Sequence, residues 1–192
     1  MRQKDESKAE QIYQSTMELV LEKGLSGVTM CDISRSAGIA TGTLYIYFRN
    51  KEELMHAFFA QCRSESARYY LKDFDPAAGF DDNFRSIFYN IMDYRLLHFE
   101  KFIFLEQCYH SPFISGQVRK DSFKALEPLF QLLDEGRSKK HIKNLENDLL
   151  MGYIIGCISE VVKKAHYAHK TLSGTTRQNL FNLCWDGLRY RD

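Results

Sequence analysis

The chain has 192 residues, and its 26 Lys and Arg against 25 Asp and Glu give a formal net charge of +1. This length suits one domain or two small ones with a sizeable core. The net charge by itself is no evidence for a nucleic-acid partner. With 44% hydrophobic residues and only 3 Pro, the composition favours a helical protein.

The first predicted helix covers residues 5–23. Apolar residues such as Ile12 and Val20 recur there at three- and four-residue steps, which is typical of a helix with one buried face. Gly24 follows Lys23 and has the residue type that commonly ends a helix.

Two short helices around a tight turn are predicted in the next stretch, residues 28–47. Thr29 and Asp32 have the spacing of a capping box and open a helix that ends before Gly38. After this turn, a second helix is predicted over residues 41–47. Two helices joined by a short turn that contains Gly form a helix-turn-helix, whose second helix enters the major groove of DNA.

A longer helix is predicted to begin at Lys51. Asn50 and Glu53 repeat the capping-box spacing, and the apolar pattern continues to about residue 71. Pro76 and Gly79 then interrupt the helical pattern, so we place the hinge between two domains within 62–74.

The stretch from Ile12 to Leu54 resembles the tetracycline-repressor (TetR) family of bacterial transcription regulators. The resemblance includes E-K-G (22–24), V-T-x-x-D-I (28–33), A-G-I (37–39), G-T-L-Y-x-Y-F (42–48) and N-K-E-E-L (50–54). It implies an N-terminal three-helix DNA-binding domain, residues 1–55, and a larger helical domain, residues 56–192, for effector binding and dimerisation.

Two positions depart from the family pattern. Ser34 stands where the family usually has Ala, and Ala40 stands where it often has a Ser that caps the recognition helix. Because Ala is a poorer N-cap than Ser, Thr41 or a DNA phosphate is expected to satisfy the end of that helix.

The predicted DNA contacts follow from the use of the first residues of a recognition helix on bases. The residues predicted to face base edges are Thr41, Gly42, Tyr45 and Ile46. The residues predicted to hold phosphates are Thr29, Thr43, Tyr47 and Lys51.

Five further helices are predicted beyond the hinge. They cover residues 80–98, 101–110, 115–135, 145–169 and 174–190, with a polar connector at 136–143. Pro128 inside the third of these is expected to kink it or divide it into two pieces. No segment alternates with period two for long enough to predict a strand, so the predicted fold class is all-α.

Aromatic residues are dense between residues 80 and 130. Ordinary core packing is one interpretation, and a concave apolar pocket with a few polar anchors is the other. The predicted lining of an effector site comprises Phe84, Phe88, Ile91, Tyr94, Phe102, Tyr109, Phe113 and Phe130. Together with the resemblance, this composition predicts an apolar or aromatic small-molecule effector.

The last two predicted helices carry apolar residues on more than one side, and only one side of each can face the core of the monomer. Gly152 and Gly156 lie four residues apart, where small residues allow a partner helix to approach, although a close contact within the monomer is the alternative. The predicted homodimer interface comprises Gly152, Tyr153, Gly156, Phe181, Cys184, Trp185 and Leu188.

No catalytic motif or cofactor-binding glycine pattern stands out, so we expect no enzyme and no cofactor. His166 and His169 have a spacing that a metal could use, but no Cys or carboxylate lies at a matching spacing, so we expect no metal. The five cysteines lack a C-x-x-C pair, and the longest apolar run, 149–162, contains Glu160 and is too short to cross a bilayer. The polar N-terminus is unlike a signal peptide. A cytoplasmic protein without a membrane partner is therefore expected.

The predicted function is a ligand-responsive regulator, a repressor that releases its palindromic operator in double-stranded DNA when the effector binds. The alternative is a helical small-molecule or lipid-binding module whose helix-turn-helix no longer regulates transcription. Binding of the purified protein to its own upstream DNA distinguishes the two.

Overall fold

The computed structural model describes residues 6–191, and its regular elements are helical. They are α1 (Glu6–Gly27), α2 (Met30–Ser36), α3 (Thr41–Tyr47), α4 (Lys51–Tyr70), α5 (Phe80–Leu97), α6 (Phe99–Tyr109), α7 (Gly116–Phe123), α8 (Glu127–Ser138), α9 (Asn147–Tyr167) and α10 (Gly174–Leu188). Within residues 6–191 no strand forms, and Ile142 and Arg189 make an isolated bridge. The predicted all-α class is confirmed.

Gly24 ends the long first piece of α1. Its φ of 72° and ψ of 161° are not helical, and a short second piece then continues to Gly27. The positive φ explains why Gly occupies this position, since a side chain is strained there. The predicted helix end at Gly24 therefore agrees with the break in α1.

The described residues divide into two compact units. The first unit contains the chain up to Ser64 together with Phe99–Ser122, and the second contains Glu65–His98 together with the chain from Phe123 onward. The division falls inside α4 and groups α6 with the N-terminal helices. The predicted boundary after residue 55 therefore stays a prediction of where the DNA-binding module ends, and its residues 1–5 lie outside the described part.

The core of the first unit is built from α1, α2, α3, α4 and α6. The Phe58 ring stacks on Tyr13 at a centroid distance of 4.7 Å and lies 4.5 Å from the Phe104 ring of α6. Because Phe104 is fully buried in this cluster, α6 completes the core under the helix-turn-helix.

The core of the second unit contains a cluster of aromatic rings from α5 and α10. Phe84 lies 5.4 Å from Trp185, and Phe88 makes an edge contact with Phe181 at 5.3 Å. Such tilted and edge-to-face pairs add about 0.5–1.5 kcal/mol beyond their area burial. They join α5 to the C-terminal helix.

Pro128 divides the helix predicted over 115–135 into two pieces, as expected. α7 ends at Phe123, a short 3₁₀ turn covers Lys124–Leu126, and α8 begins at Glu127 with Pro128 in its first turn. A proline is tolerated there because the first N–H groups of a helix have no intrahelical acceptor.

The connector predicted at 136–143 begins too early. α8 continues to Ser138, so Gly136 is helical and buried. A Cβ at Gly136 would overlap the ring of Phe80. The glycine therefore serves close packing of α5 on α8, which a single sequence does not distinguish from a loop signal.

Candidate nucleic-acid interface

Two side-chain caps fix the helices on either side of α3. The Asp32 N–H donates to the Thr29 hydroxyl at 3.1 Å, while the Thr29 N–H and hydroxyl donate to the Asp32 carboxylate at 3.1 and 2.6 Å. At α4 the Glu53 N–H donates to Asn50 Oδ1 at 2.8 Å. The Glu53 carboxylate accepts from the N–H of Arg49. The predicted capping box at Thr29 is confirmed.

The hydrogen bonds of this cap lower the pKa of the Asp32 carboxyl. The hydrogen bond from the Thr29 side chain, followed by the one from the Thr29 backbone, holds the pKa of Asp32 below its usual range. Thr29 therefore already uses its hydroxyl hydrogen within the cap, and its predicted phosphate contact would have to replace the bond to Asp32.

The turn between α2 and α3 is tight and depends on Gly38. This residue has a φ of 64°, and the Ile39 N–H returns to Ser34 O at 3.0 Å. A left-handed residue directly after a helix is the usual way to satisfy its last carbonyls. The turn sets the direction in which α3 leaves α2.

Burial divides the side chains of α3 into two faces. Leu44 is fully buried and Tyr47 is 8% exposed, so both anchor the helix to the core. Tyr45 is 50% and Ile46 71% exposed. Thr41 and Gly42 also lie at the surface, which means that the structure brings the four residues predicted to face bases onto one exposed side.

Gly42 is not explained by packing within the chain. Among the described residues, no atom lies within 4 Å of a Cβ placed on it. A glycine in a helix costs about 1 kcal/mol relative to Ala. Close approach of an external partner to this backbone gives a reason for it.

The two departures from the family pattern meet in the structure. Ala40 is the N-cap of α3 and offers no side-chain hydrogen bond to it. The Ser34 hydroxyl is buried and lies 2.8 Å from the hydroxyl of Thr41. Of the two groups expected to satisfy the start of α3, Thr41 or a DNA phosphate, the Thr41 side chain bonds back to α2. A phosphate at this helix end stays a prediction.

Lys51 is held within the first unit. Its ammonium donates to Leu25 O at 2.5 Å and lies 4.6 Å from the centroid of the Phe113 ring. Burial lowers the pKa of this ammonium. The predicted phosphate contacts of Lys51, Tyr47 and the half-buried Thr43 stay predictions.

The predicted effector-lining residues divide between the two units. Four of them are buried in the core of the second unit: Phe84, Phe88, Ile91 and Tyr94. Phe130 is half-buried in the same unit. The first unit holds buried Phe102 together with half-buried Tyr109 and Phe113. Their role in ligand binding stays a prediction.

The predicted dimer residues also separate into two groups. Phe181, Cys184 and Leu188 are at most 3% exposed within the second unit. These three side chains therefore belong to the core of their own unit, and their place in a dimer interface stays a prediction. Trp185 is half-buried against the rings of α5.

The exposed face of α9 and α10 is carried by other residues. Gly152, Tyr153 and Gly156 remain at the surface, and Leu149 is 59% exposed beside them. Leu183 on α10, which the sequence interpretation missed, is 70% exposed. Its position one residue before Cys184 places it off the buried stripe of α10, and that offset was the available signal.

Neither a metal centre nor a membrane span is found in the part of the chain that the structure describes. Within 6–191, no three His, Cys, Asp or Glu side chains are grouped to hold a metal ion. None of the helices described is both long and apolar enough to cross a bilayer.

Two family models match the chain. The model described as bacterial regulatory proteins of the tetR family matches residues 12–58, and a tetracyclin repressor-like C-terminal domain matches residues 80–189. The second match alone covers more than half of the chain.

One curated protein is similar to about half of the chain. An uncharacterized HTH-type transcriptional regulator from Haemophilus influenzae is 36% identical over 91 residues, which are 47% of this chain and 49% of that protein. The chain therefore spans about half the length of this curated relative.

Solved structures are similar over all or nearly all of the chain. A TetR family transcription regulator from Marinobacter aquaeolei has a TM-score of 0.91 at 24% identity, with 100% of both chains covered. The regulator FadR from Bacillus subtilis, solved in complex with stearoyl-CoA, has a TM-score of 0.70 at 21% identity. That match covers 93% of this chain and 98% of FadR. These likenesses concern the fold.

Proposed function

The chain belongs to the tetR family of bacterial regulatory proteins, and on this premise we propose that it is a DNA-binding transcriptional regulator that releases its operator when a small apolar or aromatic molecule binds. The likeness of residues 80–189 to a tetracyclin repressor-like domain supports repression as the mode of regulation.

One observation carries the DNA-binding part of the proposal. α3 is anchored by a fully buried Leu44, and it exposes Thr41, Gly42, Tyr45 and Ile46 together. A recognition helix needs such a rigid attachment on one side and a readable surface on the other. Exposure of the large side chains of Tyr45 and Ile46 to water is unfavourable, and contact with a major groove would remove that exposure.

A gel-shift titration tests this part directly. The purified full chain is mixed with DNA from its own upstream region and with a shuffled duplex of equal length and composition. We expect the upstream duplex to bind more tightly, and both affinities to fall with salt because counterions are released. Equal affinities for the two duplexes at every salt concentration would contradict specific DNA binding.

The effector part rests on the helical second half and its aromatic content. For release, the ligand must bind the DNA-incompetent state more tightly, by a coupling of roughly 1–3 kcal/mol. Since the similar FadR structure contains stearoyl-CoA, this molecule is the first probe, and an aromatic compound of similar hydrophobicity is the second. Either probe should lower the affinity for DNA, and DNA should lower the affinity for the probe by the same factor.

A homodimer is the proposed assembly. Leu149, Gly152, Tyr153, Gly156 and Leu183 form the exposed face of α9 and α10 that supports it. A two-fold interface made by two helices from each subunit would form a four-helix bundle. Two DNA-binding heads then contact two half-sites of one palindrome.

A further inference from the structure

The hydroxyls of Thr41 and Ser34 lie 2.8 Å apart, and the second partner of Ser34 allows the donor of this hydrogen bond to be inferred. Ser34 is 2% exposed, so its hydroxyl bonds to protein rather than to bulk water. Its oxygen lies 3.0 Å from the backbone oxygen of Cys31 and 2.8 Å from Thr41 Oγ1.

The number of hydrogens on the two hydroxyls determines which group donates in each bond. Each hydroxyl has one hydrogen and two acceptor lone pairs, whereas a carbonyl oxygen only accepts. The arrangement that makes both bonds therefore has Ser34 donating to Cys31 O and Thr41 donating to Ser34 Oγ. The single hydroxyl hydrogen of Thr41 then points towards Ser34, so that this hydroxyl can only accept from an outside partner, and Thr41 as a residue is exposed.

We propose that Thr41 reads DNA only as a hydrogen-bond acceptor and so selects a base that presents an exocyclic amino group in the major groove. Adenine N6 and cytosine N4 are the amino donors there, whereas guanine O6, guanine N7 and thymine O4 only accept. A free threonine contacts either kind of group, and Ser34 removes that ambiguity. The inference rests on the proposed DNA-binding function.

The same bond disfavours a phosphate contact for Thr41. Phosphate oxygens accept hydrogen bonds, so a threonine that has no hydrogen to donate gains nothing from them. Thr41 is then a specificity-determining residue, and Ser34 is a positioning residue that acts through it.

Two variants separate this inference from its alternatives. Thr41→Val keeps the branched shape and removes the hydroxyl. Ser34→Ala keeps the Thr41 hydroxyl but frees its hydrogen to rotate outward, and Ala is the residue that the family usually has at this position. Thermal unfolding of both variants confirms that they are folded before DNA is added.

The experiment selects binding sites from a random duplex library with the full wild-type chain and both variants. We expect the wild type to prefer an amino-bearing base at one position of each half-site. Thr41→Val should lose about three- to tenfold of the affinity for that base, the worth of one hydrogen bond, without gaining affinity for guanine or thymine. Ser34→Ala should retain the affinity for the amino-bearing base and gain affinity for guanine or thymine there.

Base analogues give a second readout. Replacing the preferred base by its analogue without the amino group should weaken the wild type by the same factor and leave Thr41→Val unchanged. If Thr41→Val weakens all sequences equally and alters no base preference, the inference fails while DNA binding stands. If the wild type enriches no sequence at all, the proposed function fails and this inference with it.

Discussion

At the scale of single residues, the exposed half of α3 has a composition unlike that of an ordinary solvated helix. It carries Thr41, Gly42, Tyr45 and Ile46, none of which is charged. In the proposed function, this face would read DNA through contact geometry, because its own four residues carry no charge. Single substitutions on it are therefore expected to have clear effects on sequence preference.

The first prediction concerns Tyr45. Since its side chain is 50% exposed, Tyr45→Ala should leave folding intact. It should cost about 1–3 kcal/mol of specific binding and relax the preference among sequences. Gel shifts with specific and shuffled duplexes measure both effects, and equal losses on both duplexes would show that Tyr45 reads no base.

The second prediction concerns Lys51, whose ammonium serves the fold and is also predicted to hold a phosphate. Lys51→Met keeps the apolar stem and removes the bond to Leu25 O, so unfolding should become easier by about 1–2 kcal/mol. If the ammonium also holds a phosphate, the slope of log affinity against log salt should fall by about one.

The matched control for this test is Lys170→Met, which removes an exposed cation from the second unit. It should change neither the salt slope nor the stability. If Lys51→Met leaves the slope of log affinity against log salt unchanged, the ammonium holds no phosphate and its role is only structural.

The third prediction follows from the lowered pKa of Asp32. Because the folded-state pKa lies below the unfolded value, the cap contributes stability that is present above a pH of about 4 and is lost as the pH falls through the folded pKa. Thr29→Val removes the hydroxyl bond, the largest cause of the lowering. NMR titration should show the midpoint of Asp32 moving upward in Thr29→Val. It should stay in place in the control Thr175→Val, which removes the hydroxyl of an exposed threonine in α10.

At the scale of helices, contacts rather than helix propensity decide where elements end and which faces they bury. α8 continues through Gly136, where the Phe80 ring of α5 occupies the space that a side chain would need. Tyr153 of α9 similarly covers Gly187 of α10, and its hydroxyl lies 3.5 Å from Leu183 O. Both glycines allow close packing that larger residues prevent.

The fourth prediction tests this close packing. Gly136→Ala gains helix propensity but places a Cβ against the Phe80 ring, so denaturation with urea should show a net loss of about 1–3 kcal/mol. The control is Gly174→Ala at the start of α10, where no atom among the described residues lies within 4 Å of the added Cβ. A stability of Gly136→Ala equal to or above that of the wild type would mean that Phe80 moves aside without cost.

At the scale of the whole molecule, the proposed DNA binding and ligand response both depend on the proposed assembly of two chains. In that dimer one α3 would reach one half-site, and the partner's α3 would reach the other. The exposed face of α9 and α10 is the apolar surface that remains after Phe181, Cys184 and Leu188 have been buried within the subunit. Loss of association is therefore expected to abolish operator binding without unfolding the subunit.

The fifth prediction concerns Gly156. No atom of the residues that the structure describes lies within 4 Å of a Cβ at this position, so Gly156→Leu should fold as a single subunit. Its larger side chain should keep two α9 helices apart. Sedimentation at micromolar concentration should show a dimer for the wild type and a monomer for the variant, and an intact dimer in Gly156→Leu would contradict this interface.

Features that depend on interactions between residues close in the chain could be predicted from the amino-acid sequence alone. The box of Thr29 and Asp32, the left-handed Gly38 and the end of α3 at Tyr47 follow from hydrogen bonds and backbone angles within a few residues. The same local patterns predicted the all-α class and the division before Pro128. Such interactions are nearly independent of the rest of the chain, so one sequence is enough to predict them.

Which of several apolar helix faces is buried becomes clear only from the packing of distant segments in the folded chain. A helix with two apolar stripes satisfies the same periodicity whichever stripe faces inward, and partners from distant segments make the choice. Phe104 of α6 joined the N-terminal core, and Phe181 turned towards α5 while Leu183 stayed outside. The bond between Ser34 and Thr41 belongs to the same group, because it requires the angle between two helices that the sequence leaves open.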